Sequence, residues 1–192
     1  MQRIVFWLAR ILAILGGIVL TVLILLTCVS VLGRGGNTFG HSDFLNGIAP
    51  GIAEAFTRLG PVKGDFEIVE AGIAFSVFAF LPWCQLRQGH ATVDVFTSYL
   101  SERLNRAIMV FWELLFALTL ILISWRLFEG MIGKVRNGET TFLLQFPIWW
   151  AYAASFVASV IAALVGVYTA WERAHGLIIG REVLPASGGS AH

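Results

Sequence analysis

The side chains best equipped for chemistry in this chain gather at the ends of long apolar runs. Residues 64–94 read GDFEIVEAGIAFSVFAFLPWCQLRQGHATVD and hold most of them. The stretch opens with Asp65, Glu67 and Glu70 and crosses an uncharged run at 71–86. It closes on a polar turn that holds Gln85, Arg87, Gln88, His90 and Asp94. Glu67 and Glu70 are three residues apart and share a face if the run is helical. Two readings of these acids stand. Exposed negative charge near a helix N-terminus is favoured by the macrodipole by about 0.3–1 kcal/mol, which makes them capping groups in a headgroup layer. An acid inside a spanning segment is costly and usually functional, and on that reading Glu70, the deepest of the three, faces a protein partner or a water-filled cavity. Glu113 stands in the next apolar run beside Trp112. It is suited to a hydrogen bond between helices, to a pair with an arginine of the preceding polar segment, or to a role in transport.

Several kinds of chemistry are missing. None of His41, His90, His175 and His192 falls within an apolar run, which excludes axial haem ligation inside a helix bundle. There is no CxxC, no Gly-rich phosphate loop and no HExxH pair. A Ser/His or Asp pair at depth, which an intramembrane hydrolase needs, is also missing. Cys28 and Cys84 read as small packing residues, since neither has a CxxC partner or a nearby histidine pair. The expectation is therefore of no catalytic residues, no cofactor and no metal, and of a protein that is not an enzyme. A net charge of +1 with no basic stripe gives no footing for nucleic acid.

Composition names the solvent. Hydrophobic residues make up 57% of the chain and charged ones 13%, where soluble domains carry about 25% charged residues. The mean hydropathy is +0.79. This is an all-α membrane protein with four transmembrane helices, expected at about 6–32, 66–86, 107–128 and 147–171, in a single membrane domain over 1–175. Interfacial amphipathic segments are expected at 48–59 and 87–106, with a disordered tail at 176–192. The first uncharged run, 11–32, exceeds the roughly 7–15 residues of a signal-peptide core and is followed by no A-x-A site, so it reads as an uncleaved anchor. Trp7 and Arg10 suit one interface. Gly33, Gly35, Gly36 and Gly40 speak against a continuous helix beyond it.

Pro82 falls near the end of the second span, where it kinks or closes the helix, and Pro147 in the first turn of the fourth. Trp149, Trp150 and Tyr152 form an aromatic belt at one end of the fourth span, with Tyr168 and Trp171 at the other. Its interior carries two small-residue lanes, Ala151, Ser155, Ser159, Ala163 and Ala154, Ala158, Ala162, Gly166, a face that this chain or a partner must fill. Ala13, Gly17 and Thr21 form a shorter lane on the first helix. Four spans put both termini on one side. With cytoplasmic termini, basic residues divide almost evenly between the two sides, and the basic N-terminus favours that orientation.

Two transport readings fit these residues. One is a self-sufficient four-helix, proton-coupled transporter working as a homodimer around Glu113 or Glu70. The other is an accessory subunit with polar clusters at the membrane edges and no substrate site of its own; inverted repeats and paired midspan breaks, the marks of secondary transporters, are missing.

The stretch at 64–94 closely resembles the small membrane (Q) subunit of tripartite ATP-independent periplasmic (TRAP) transporters. GHATVDVF looks like that family's polar turn after helix two, and GETTFLLQFPIWWAY resembles its approach to helix four. The likeness covers about 64–171. It implies a small permease subunit in the bacterial inner membrane, multi-pass, with termini cytoplasmic. Its implied partners are the large TRAP membrane subunit, a periplasmic substrate-binding protein and membrane lipids. The resemblance further implies uptake of an organic acid, a dicarboxylate or related carboxylate, by symport with sodium or protons, the small subunit serving as scaffold. Carried over by position, Glu67, Glu70, Gln85, His90 and Asp94 are structural or subunit-contact residues at the ends of helix two, with Glu113 as a structural polar group from its own setting.

Overall fold

The computed structural model describes residues 2–42, 47, 50–57, 60–87 and 102–179. They form the helices α1 (Gln2–Gly40), α2 (Pro50–Thr57), α3 (Asp65–Leu86), α4 (Glu102–Asn137) and α5 (Trp149–Ile179). All but α2 are long and apolar enough to cross a membrane. In space α1 packs on α3, α3 on α5 and α5 on α4, while α2 folds back on α1. The order α1–α3–α5–α4 leaves α1 and α4 at the edges. Half of the most apolar window of α5 is buried, against 22% for α4.

The small residues of α5 explain its central place. Ser155, Ala158, Ser159, Ala162 and Ala163 are buried, so the chain itself fills this face. Leu120 of α4 packs against Ala162 and Ala163, joined by Leu81 of α3 and Phe116. A Cβ at Gly166 would lie 3.3 Å from the Gln85 amide and 3.5 Å from Ala117 Cα. In a bilayer, where lipid tails are as apolar as leucine, such close packing is what holds helices together.

The face of α1 that meets α3 is not the lane at Ala13, Gly17 and Thr21. Ala9, Leu12, Gly16, Leu23 and Ser30 turn inward instead, and Gly17 faces open space. A Cβ at Gly16 would sit 2.8 Å from that of Ala79, and one at Gly72 would sit 2.6 Å from Leu23. Ala9 clusters with Leu86 and Val165, which places the start of α1 and the later part of α5 at the same end of the bundle.

Three helices overrun their expected bounds. The glycines after 32 do not break α1, which continues to Gly40. A Cβ at Gly33 would fall 2.2 Å from the Gly60 carbonyl oxygen, and one at Gly40 2.7 Å from the Thr57 nitrogen. Asn37, on the same face, donates to the Thr57 carbonyl at 2.7 Å. These contacts offset the glycines' low helix propensity. Likewise α4 does not end at 128 but runs to Asn137, and a Cβ at Gly130 would fall 2.8 Å from Tyr152 Cε1. Gly138 (φ 63°) then ends it, with the Glu139 N–H reaching the Lys134 carbonyl at 3.4 Å. α5 extends past 171 to Ile179. The expected short helix in 48–59 is present as α2, and α3 begins one residue before its expected start. Pro82 lies inside α3 without ending it. The interfacial helix expected over 87–106 falls mostly outside the described residues, as does the tail beyond 179; residues 102–106 belong to α4.

The two adjacent glycines of α1 separate packing from propensity. Gly16→Leu should destabilise the protein by about 1–3 kcal/mol through overpacking against Ala79. Gly17→Leu should leave thermal unfolding in mild detergent within about 0.5 kcal/mol of the parent chain.

Candidate functional site

Polar side chains converge at both ends of the bundle. At the end that holds the start of α1, Glu113 of α4 reaches Arg173 of α5, with Oε1 2.9 Å from Nη1 and the two side chains only 12% and 14% exposed. Its other oxygen accepts from Gln85 Nε2 at 3.0 Å. The Thr169 hydroxyl lies 3.2 Å from that oxygen and 3.0 Å from the Gly166 carbonyl, sharing its one proton between them. Gln85 and Thr169 are wholly buried. One carboxylate thus ties α3, α4 and α5 together. The amide of Gln85 must present its nitrogen to Glu113, because the reverse orientation would set two oxygens face to face. Gln85 Oε1 consequently has no partner among the described residues, and neither has Arg173 Nε.

The arginine that meets Glu113 is not in the preceding segment. The antiparallel pairing of α4 with α5 carries the early turns of α4 to the late turns of α5, so Arg173 is its partner. The legible signal was faint: Arg173 is the first basic residue after the uncharged run at 140–171.

At the opposite end the loop after α4 folds over the start of α3. Both oxygens of Glu67 accept backbone N–H groups, from Leu143 at 2.6 Å and from Leu144 at 2.9 Å. Leu144 packs onto Gly64, where φ is 74° and any Cβ would lie 2.3 Å from the leucine Cγ, so only glycine fits. The loop closes on itself through a Thr140–Pro147 bridge and through the Thr141 N–H donating to the Phe146 carbonyl at 2.9 Å. Beneath α3, the Ser30 hydroxyl donates to Asp65 and accepts from the Val62 N–H at 3.3 Å. Lys134 pairs with Glu139, and the Asn137 amide donates to the same carboxylate at 3.0 Å. Lys134 first and then Asn137 hold the Glu139 carboxyl below its ordinary value.

Of the six candidate residues, Gln85 and Glu113 come together, and Glu67 serves the distant loop. Glu70 is exposed and makes no hydrogen bond or ion pair among the described residues. His90 and Asp94 lie outside the described residues.

A family model, "Tripartite ATP-independent periplasmic transporters, DctQ component", matches residues 48–176, more than half of the chain. The chain belongs to this family. Comparison with curated proteins and with solved structures gives no match. As a DctQ component the chain is a small permease subunit of a TRAP transporter and a multi-pass membrane protein, and its family is one of transporter components rather than enzymes. The matched region takes in α3, α4, all but the last three residues of α5, and the loop held by Glu67.

Two expected outcomes follow from these clusters. Glu113→Ala should cost about 3–5 kcal/mol in denaturant unfolding, because Arg173 is left buried without its carboxylate; Glu113→Leu with Arg173→Leu should recover most of that loss. The Glu139 pair should hold the loop fully at neutral pH. A carboxyl depressed in the fold contributes above its unfolded value and loses that contribution as pH falls through the folded one. Exchange of the loop amides, corrected for intrinsic rate, should therefore rise below about pH 4.5, a rise that Glu139→Gln should reduce but not abolish, because the Glu67 carboxylate also holds the loop.

Proposed function

We propose that this DctQ component is the scaffold half of an organic-acid uptake system. It braces a large membrane subunit in the bacterial inner membrane while that subunit moves a dicarboxylate or related carboxylate delivered by a periplasmic binding protein. Uptake is driven by a sodium or proton gradient, and both termini of the small subunit are cytoplasmic. The observation that carries this reading is how the buried polar groups are used. Glu113, Arg173, Gln85 and Thr169 bond mainly to one another, which fits a rigid support better than a moving substrate site.

The same geometry weighs against a homodimeric proton-coupled transporter. A carboxylate that cycles protons needs freedom to change partners, and Glu113 is engaged at both oxygens. Glu70, exposed and without a hydrogen bond or ion pair among the described residues, is suited to contact with the large subunit, as are His90 and Asp94 further along the sequence.

The test is a tagged pull-down in mild detergent, with and without the co-expressed large subunit, paired with uptake in vesicles. A stable one-to-one complex, with no uptake by the small chain alone, is the expected result. Glu70→Ala should reduce the co-purified large subunit roughly tenfold if its partner group is desolvated. A lone homodimer whose proton-coupled flux disappears with Glu113→Gln would sink the scaffold reading.

A further inference from the structure

The outer face of α4 carries charge at a depth where its neighbours carry none. Arg126 is near the far end of the span expected at 107–128, yet the continuation of α4 to Asn137 leaves it well inside the helix. Its level follows from the packing on either side. Leu120 meets Ala162 and Ala163, and Phe128 lies on Phe156 with ring centroids 5.3 Å apart. Arg126, between them, is therefore level with residues 156–162 of α5. Ala158, in that stretch, clusters with Leu12 of α1 and Ala79 of α3. These positions all lie within uncharged runs, 11–33, 71–86 and 140–171. At about 1.5 Å per residue, Arg126 sits roughly 11 Å from the level of Trp150 and roughly 20 Å from that of Trp171. Tryptophans at span ends mark the two interfaces, so the guanidinium stands in the hydrocarbon layer.

It stands there facing outward. The Arg126 and Glu129 side chains are 78% and 48% exposed, paired at 3.1 Å. The Trp125 indole N–H donates to the other Glu129 oxygen at 2.9 Å. Glu129 is thereby satisfied, but among the described residues Arg126 has spent one of its five N–H donors. Acyl chains offer no acceptor, and an ionised side chain inside a membrane usually faces protein or a water-filled cavity. Around the pair the surface is apolar, with Leu118 and Leu122 exposed on the same face.

The geometry points to this strip of α4 as the docking surface for the large membrane subunit, Arg126 meeting a carboxylate or an uncapped backbone carbonyl on one of that subunit's helices. This rests on the assembly proposed above and adds the face and the chemistry of contact.

A photoreactive phenylalanine analogue placed at Leu118 or Leu122, in the complex co-expressed with the large subunit, is the direct test, with Ile18 and Val22 on the exposed side of α1 as comparison sites. Adducts with the large subunit from the α4 positions and none from α1 are expected. Adducts from α1 alone, or none from α4 while the large subunit still co-purifies, would overturn the docking face and leave the assembly standing. An adduct at twice the mass of this chain from the α4 sites would assign the face to a second copy and likewise overturn it. Failure of the parent chain to retain the large subunit would instead remove the assembly itself. As an independent reading, Arg126→Leu with Glu129→Leu should lower co-purification at least tenfold while the melting temperature of the small chain alone holds or rises. Unchanged co-purification would refute the contact.

Discussion

Backbone approach along α5 is the constraint on which the rest of the structure depends. Two helices can lie against α5 because most of its inward residues are serine, alanine and glycine, so α3 and α4 come close enough to touch each other across Gly166. That proximity is what lets Gln85 on α3 reach Glu113 on α4. In water, burial of leucine and phenylalanine would draw the helices together. In lipid that drive is lost, and packing density with a few polar bonds must serve in its place. The molecule accordingly exposes many bulky apolar side chains, most of them on α1 and α4, and buries mainly small ones with a few leucines among them.

The polar groups are distributed by what each can reach. Glu113 sits where three helices converge, and each of its oxygens has protein donors, so its burial is matched by bonds. Glu67 sits at a helix start, where an acid is favoured anyway, and uses that position to anchor a loop by its backbone. Arg126 follows neither pattern. Most of its donors have no partner among the described residues, and they turn outward.

How much of this was legible depended on whether the signal was local. The bounds of α3 were readable because Gly64 and the acids announce its start and Arg87 its end. The buried face of α5 was readable because its small residues repeat at helical spacing. The length of α1 was not, since Gly33 and Gly40 read as breakers by propensity, and only their contacts with Gly60 and Thr57, more than fifteen residues on, give them another purpose. The depth of Arg126 and the pairing of Glu113 with Arg173 both depend on the register of α4 against α5. That register is fixed by contacts such as Gly130 on Tyr152, which no spacing within α4 discloses.

The order of contacts bears on how the protein is made. Helices consecutive in the chain pair with each other, α1 with α3 through the brace of α2, then α4 with α5. Each pair can close as soon as its second member has left the ribosome, without waiting for distant sequence. The docking of α3 on α5, with a lesser contact of α1, joins the halves, and it brings the last polar bonds with it. A nascent chain halted before α5 would expose Glu113 with neither Arg173 nor Thr169 to meet it. The final helix is thus the step that makes an incomplete product distinguishable from a finished one.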